Sequence, residues 1–407
     1  MDLKLLKAVE SEDMEQVNSL LDSGEPIDQQ DKDGRTPLMV AVQKNNLKLA
    51  RLLMDRGADL NIRDNTMLSP WLCAGANGFH KILQTALEYN PEISSTNRFG
   101  GTVLLPSSEK GYLRTVEVGL EAGVPVNHVN DLGWSALQEA VILGNGGFLY
   151  NDIIRKLMLH GANPDLKDNE GKTAKDWAES RGEHHVIDIL EGKLDINYQE
   201  IRKLIEDEKY DEAIKLLGEA DSLEKYYLLG YCYTLLEKYE EALKTYRKAA
   251  ELEGGSPEFL FYSANVLRTM KRVEEALSEY DKAINANPDY FFYRYHKSNY
   301  LRELGKHEEA VAEMDNLLSK DPDRYDYLFH KANSLRSLGR HKEAAEAMDR
   351  AIKIDPNNPL YVFHKAKSLA LMEQYEESLK LLEEVVNVKP TKVYLEELEA
   401  VKRALGK

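Results

Sequence analysis

The chain repeats itself with two different periods, and this constrains what it can fold into before any single residue is considered. In the first half, Thr36-Pro37-Leu38, Ser69-Pro70-Trp71, Thr102-Val103-Leu104 and Ser135-Ala136-Leu137 recur at 33-residue intervals, and Thr173-Ala174 follows 38 residues after the last. In the second half, Ala242, Ala276, Ala310, Ala344 and Ser378 recur at 34-residue intervals, as do Pro288, Pro322, Pro356 and Pro390. A unit of that length cannot enclose a core of its own, so consecutive units must stack and bury one another. The 407 residues are too many for one ordinary compact domain but suit an array whose core grows with its length.

Each unit of the first half reads as a turn and two helices. The Thr or Ser hydroxyl accepts from the open amides of the first helix, and Pro at its first turn has no amide to lose. The second helix is amphipathic, as in Leu47-Lys48-Leu49-Ala50-Arg51-Leu52-Leu53. It stops at Arg56-Gly57-Ala58-Asp59-Leu60-Asn61, where Gly57 supplies a left-handed cap, and His160-Gly161-Ala162-Asn163-Pro164-Asp165 repeats the signal. The surplus of the long fourth unit falls in Gly144-Asn145-Gly146-Gly147-Phe148-Leu149-Tyr150-Asn151, which reads as an inserted loop. Asp2-Leu3-Lys4-Leu5-Leu6 and Asp13-Met14-Glu15-Gln16-Val17 fit the same register, giving about six units over residues 1–191.

From about Ile196 the punctuation changes. Gly230, Ala264, Ser298, Ala332 and Ala366 place a small residue in each first helix, Tyr246 and Tyr280 an aromatic in the second, and Pro ends the second helix before the next unit. With a truncated copy around Tyr210-Asp211-Glu212-Ala213, residues 196–407 hold about six units, closed by a polar terminal helix over Lys392–Leu405. Glu191-Gly192-Lys193-Leu194-Asp195, without a Ser, Gly or Pro run, predicts a stiff joint between the two arrays.

These markers resemble the ankyrin and tetratricopeptide families, and the two resemblances together cover nearly the whole chain. The implied fold is all-α: tandem α-solenoids, an ankyrin-repeat array followed by a tetratricopeptide-repeat superhelix. Within the first array, Arg98-Phe99-Gly100-Gly101, Glu109-Lys110-Gly111, His128-Val129-Asn130, Leu132-Gly133-Trp134, Glu139-Ala140 and Gly144-Asn145-Gly146-Gly147 resemble the signature of a group of bacterial ankyrin proteins without an established activity. Asn145 stands where that pattern has Asp, and Gln138 where it has Leu. The resemblance implies a bacterial or archaeal origin and a shared binding face in the third to fifth repeats.

Ankyrin partners usually meet the hairpin tips and inner helices. Trp134 occupies a position that other repeats here fill with Arg35 or Lys172, and with Asp64, Asn65, Trp71, Arg98 and Phe99 it suggests an aromatic and charged hot spot. Glu109, Lys110 and Glu139 would add polar contacts beside it. The competing reading is that these aromatics pack between adjacent units. In the second array, Tyr227, Phe261, Tyr295, Phe329 and Phe363 share one register position; Asn265, Asn299 and Asn333 lie four residues on, and Arg268, Arg302 and Arg336 three further. Such spacing keeps the three columns on one helical face, which in this family lines the concave groove. Asn would bind the backbone of an extended peptide, Arg its carboxylates and the rings its apolar side chains; Lys367 replaces Asn in the last unit. His296, His330 and His364 form a further column, read as polar or stacking residues.

A net charge of −17 repels a phosphate backbone and an anionic bilayer, so neither nucleic acid nor a membrane is an expected partner. No apolar run reaches membrane-spanning length, and the acidic opening lacks the basic region of a secretion signal, so a cytoplasmic protein is expected. Cys73 and Cys232 lie in different halves and form neither a disulfide framework nor a zinc cluster. No phosphate loop, metalloprotease motif or nucleophile elbow occurs, and no cofactor is implied. The expected function is a non-enzymatic scaffold or adaptor that binds a protein on the ankyrin concave face and an extended peptide in the second groove. The sequence leaves two alternatives standing: an enzyme or small-molecule sensor with its site around Arg98, Glu109, His128 and Trp134, or a self-assembling structural protein. The partner and the oligomeric state are left open.

Overall fold

The computed structural model describes residues 3–193, 198–252, 256–356 and 358–406, so Leu194 and Asp195 of the joint lie outside the described residues. The chain forms two compact units, the first made of residues 1–192 with 391–396 and the second of residues 193–390 with 397–407. Both are built from helices, and the only β pairing among the described residues is an isolated antiparallel bridge between Val129 and Ser135.

The first unit holds six helix pairs: α1 (Lys4–Glu10) with α2 (Met14–Asp22), α3 (Pro37–Gln43) with α4 (Leu47–Asp55), α5 (Pro70–Ala76) with α6 (His80–Ala86), α7 (Leu104–Glu109) with α8 (Leu113–Glu121), α9 (Ala136–Ile142) with α10 (Phe148–Leu159), and α11 (Ala174–Arg181) with α12 (His184–Leu190). The first pair opens at Leu3 without a side-chain cap, and in four of the other pairs the first helix starts where the sequence puts a hydroxyl cap. Thr36 accepts from the Met39 amide, Ser69 from Leu72, Ser135 from Gln138 and Thr173 from Asp176. The fourth pair, α7 with α8, departs from this pattern. There Val103 is already helical, α7 starts one residue late, and the buried Thr102 hydroxyl caps nothing. That pair lacks Pro after the hydroxyl residue and carries Pro106 inside its first turn instead, where a missing amide costs no hydrogen bond.

The insertion in the fifth pair, α9 with α10, is partly loop and partly helix. Gly144–Gly147 turn the chain, and α10 then runs for 12 residues against 9 in α4 and α8. Its Tyr150 hydroxyl donates to the Glu109 carbonyl at 2.7 Å, and Arg181 donates to the Val141 carbonyl at 2.5 Å, so neighbouring pairs hold the longer segment.

The turns between pairs share one lock. Asp31, Asp64, Asn97, Asn130 and Asp168 each take two amides, two and four residues ahead, onto one side-chain oxygen at 2.8–3.1 Å. The backbone closes beneath each lock, as where the Asp64 amide donates to the Leu68 carbonyl at 2.9 Å. Adjacent turns then join through the backbone: the Asn65 amide donates to the Asp33 carbonyl at 2.9 Å and the Asp131 amide to the Phe99 carbonyl at 3.0 Å. The approach is close enough that a Cβ on Gly133, which sits at φ +78, would fall 2.5 Å from Asn169.

The second unit holds α13 (Gln199–Glu206) with α14 (Tyr210–Leu217), α15 (Leu223–Leu235) with α16 (Tyr239–Glu251), α17 (Glu258–Thr269) with α18 (Val273–Ala286), α19 (Phe291–Glu303) with α20 (His307–Lys320), α21 (Tyr325–Ser337) with α22 (His341–Ile354), and α23 (Pro359–Leu371) with α24 (Tyr375–Val388), and from Glu397 onward the terminal helix α25 (Lys392–Ala404). Pro288, Pro322, Pro356 and Pro390 each stand two residues beyond the end of a second helix. The small-residue columns mark helix crossings. Where a column carries Ser, its hydroxyl binds across the crossing: Ser298 donates to the Ala310 carbonyl at 3.0 Å and Ser378 to the Ala366 carbonyl at 2.8 Å. Lys297, Lys331 and Lys365 each pair with an Asp sixteen residues back, Asp281, Asp315 and Asp349, at 2.5–2.9 Å.

Gly230 shows how little room a crossing leaves, since a Cβ there would sit 2.3 Å from the Tyr246 ring. Gly230→Ala is expected to destabilise the second array by about 1–3 kcal/mol through overpacking. A lower urea midpoint checks this, and an unchanged midpoint would mean that the ring can move aside at no cost.

Candidate functional site

In the first array the structure separates residues that the sequence placed together. Trp71 on α5 is fully buried and Trp134 is 2% exposed, so neither indole offers surface to a partner. Both belong to the core because α5 and the start of α9 are flanked by further pairs that cover them. Asp64 is buried as well, and one of its oxygens takes the Thr66 and Leu68 amides and the Thr66 hydroxyl. Asn65 is exposed, and its side-chain amide donates to the Lys32 carbonyl at 3.0 Å.

What remains at the surface is smaller and polar. Arg98 is exposed with its guanidinium 4.6 Å from the centre of the half-buried Phe99 ring. Lys110 is half-buried and donates to the Ala76 carbonyl at 3.0 Å, and Glu109 is half-buried at the end of α7. His128 places Nε2 2.6 Å from the Gly100 carbonyl, which makes that nitrogen the donor. With Trp134 inside the core and His128 holding a turn, the sensor or enzyme site around Arg98, Glu109, His128 and Trp134 loses two of its four members.

Glu139 on α9 is 6% exposed. Its Oε1 accepts from Asn130 Nδ2 at 2.8 Å, while Oε2 has no hydrogen-bond partner. Burial pushes its carboxyl well above the usual range, the neighbouring Glu109 charge pushes the same way, and the Asn130 hydrogen bond opposes both. The Asn130–Glu139 link was missed in the sequence, although a signal was there. Asp31, Asp64 and Asp168 lock three of the other turns and Asn97, with Pro106 nine residues on, the remaining one, so Asn130 is the one amide lock with a Glu nine residues later.

In the second array the three columns do lie on one face of successive first helices, but they are tied inward. Phe261 and Tyr295 are fully buried, Tyr227 is 1% exposed, and Phe329 and Phe363 are 3% exposed. Each of three rings meets the histidine column edge-on: Phe261 with His296 at 5.1 Å, Tyr295 with His330 at 5.5 Å and Phe329 with His364 at 4.9 Å. The rings therefore pack consecutive repeats together and leave no apolar pockets for a peptide. This corrects the role expected for them.

The Asn and Arg columns form a repeated pair. Arg268 donates to Asn265 Oδ1 at 3.4 Å and Arg302 to Asn299 Oδ1 at 3.2 Å, and Arg336 makes the same bond to Asn333. The guanidinium then reaches the next repeat, Arg302 binding His330 Nδ1, Arg336 binding His364 Nδ1 at 2.9 Å, and Arg268 bridging to Glu303 at 2.7 Å. An Arg has no acceptor, so the oxygen of each amide must face it and the NH2 must turn away. The arginines thus orient the amides and link repeats, where the sequence suggested forks for a partner's carboxylates.

The model for ankyrin repeats in three copies matches residues 5–97, that for a single ankyrin repeat matches 132–169, and that for tetratricopeptide repeats matches 236–291 and 295–359. The chain carries ankyrin repeats followed by tetratricopeptide repeats. Both repeat types are in general protein–protein interaction modules. YahD of Escherichia coli (strain K12), described as an ankyrin repeat protein, is 38% identical over 109 residues. That stretch is 26% of this chain and 54% of YahD, so the chain spans about half the length of this curated relative. Among solved structures, the ankyrin repeat protein EF0377 is 40% identical over 46% of this chain and 96% of its own, with a TM-score of 0.45. An ankyrin repeat domain (ABAYE2397) from Acinetobacter baumannii AYE is 44% identical over 46% of this chain and 95% of its own, also with a TM-score of 0.45. No helix among the described residues is long and apolar enough to cross a membrane.

Packing and binding roles for the ring column differ in what a truncation does to the free protein. Phe329→Ala is expected to cost about 3–5 kcal/mol in stability as a buried ring. A urea melt without any ligand measures it, and a midpoint equal to wild type would return the ring to the binding face.

Proposed function

We propose that the chain is a non-enzymatic adaptor that holds one protein on the ankyrin array and an extended peptide on the inner face of the tetratricopeptide array. The observation that carries this reading is the Asn–Arg column. Arg268, Arg302 and Arg336 hold three amide oxygens, which sets the NH2 groups of Asn265, Asn299 and Asn333 in one orientation at one register position per repeat, with Asn299 buried and Asn265 and Asn333 half-buried. The Asn333 Nδ2 atom is itself buried and has no hydrogen-bond partner within the protein. A row of preset donors suits the carbonyls of an extended backbone, and because arginine fixes each amide beforehand, little orientational freedom is lost on binding.

On the ankyrin side, the exposed Arg98 stacked on Phe99, the exposed Asn65 and the half-buried Glu109 and Lys110 are the residues that a protein partner would meet. Trp71, Asp64, Trp134 and Glu139 support that surface from below. Two weak sites on one chain raise each other's effective concentration when a partner spans both. We place the protein in the cytoplasm, in keeping with its two free, buried cysteines.

The experiment is an affinity pulldown from lysate of the source organism, read by mass spectrometry, with three baits of equal helicity: wild type, Asn265→Asp/Asn299→Asp/Asn333→Asp, and Asn65→Ala/Arg98→Ala/Phe99→Ala. The Asp triple replaces donors with carboxylates that repel a carbonyl row. It is expected to weaken capture of one partner set on the order of tenfold, about 1.4 kcal/mol, and the Ala triple to weaken another. Identical capture by all three baits would refute both assigned surfaces.

A further inference from the structure

Glu139 is a buried titratable group whose protonation plays no part in the adaptor reading. It lies on α9 at 6% exposure, with a single donor, Asn130 Nδ2, on one oxygen and none on the other. The charged group that acts on it is Glu109 at the end of α7, and that charge has the same sign. A carboxylate in this place would have one hydrogen bond, no cation and little water. Leaving a buried ion so poorly satisfied is costly, and the neutral acid avoids the cost.

The same Asn130 makes the fourth turn. Its Oδ1 takes the Leu132 amide at 2.9 Å and the Trp134 amide at 3.0 Å, and the Asn130 amide closes on the Trp134 carbonyl at 2.9 Å. Asp31, Asp64 and Asp168 do the corresponding work with no buried carboxylic acid behind them: Asp31 holds Arg35, Asp64 the Thr66 hydroxyl, and Asp168 the Trp177 indole. Only at the fourth turn, among the locks described here, does the locking side chain also donate to a buried acid.

We propose that Glu139 is a proton-operated latch on the fourth turn: as the neutral acid it keeps Asn130 and the 130–134 turn closed, and as the carboxylate it draws in water and releases them. The inference rests on the packing of the ankyrin array and holds whether or not that array binds the partner suggested above. The direction follows from linkage. An acid held neutral by burial keeps its proton in the folded state over a range where the unfolded chain has lost it. The stability it confers is therefore lost as pH rises from the ordinary carboxyl range through the value in the folded protein.

The test is amide hydrogen exchange of the full chain between pH 5 and 9, corrected for intrinsic exchange and read at Leu132 and Trp134, with Thr66 and Leu68 of the second turn as internal reference. In wild type, protection of the fourth turn is expected to fall by up to about tenfold per pH unit once Glu139 ionises, the slope of a one-proton linkage, while the second turn stays level. Glu139→Gln keeps an acceptor for Asn130 and has no proton to lose, so it is expected to abolish the slope. Glu109→Gln, which removes the like charge, is expected to move the opening to lower pH and provides the check should Glu139→Gln fold poorly. A slope unchanged in both variants, level protection in wild type, or equal loss at both turns would each overturn the latch.

Discussion

A helix pair has two apolar faces and can cover only one of them, so every unit in this chain is finished by its neighbour. That constraint produces the close approaches seen in both arrays: Gly133 against Asn169 in one, and Gly230 against Tyr246 in the other. It also explains why polar links recur at the same register. Once units are stacked at a fixed spacing, a side chain that reaches the next unit in one place reaches it in all. The turn-to-turn amides, the Lys–Asp rungs and the Arg–His contacts all follow from that spacing.

The periods were legible in the sequence because the residues that mark them answer steric needs. Pro two residues past a helix end, a small residue at a crossing and a hydroxyl before a first helix each have few substitutes. Orientation was not legible. Trp71 and Trp134 stand at known places in the repeat, yet whether an indole at such a place faces a partner or the next unit depends on what that unit presents. The ring column of the second array was misread for the same reason: spacing put Phe261, Tyr295 and Phe329 on one face without revealing that the histidines of the following repeat cover them. Thr102 fits the period and still caps nothing, since Val103 beside it is already helical and α7 begins one residue later.

The candidate surfaces gain a different chemistry from these corrections. Of the large aromatics named in the sequence, only the half-buried Phe99 beneath Arg98 stays with a surface. On the tetratricopeptide face the informative element is direction: arginine can only donate, so it decides which end of each neighbouring amide is left for others. On the ankyrin face the exposed groups are few, and the polar residues beneath them spend their hydrogen bonds on shaping turns. Recognition of this kind depends on preset geometry more than on buried area.

The turn lock has a consequence for how such a chain can change in length. The side chain that ties each turn and the amides it receives lie within five consecutive residues, and the adjoining turn is met by a backbone bond, as from Asn65 to Asp33, with side chains such as Asn65 adding to it. Copying one 33-residue stretch of the gene therefore copies a complete clasp with both of its mating ends, and the duplicate needs no compensating substitution elsewhere. An array clasped in this way can gain or shed a unit in a single genetic event and still close.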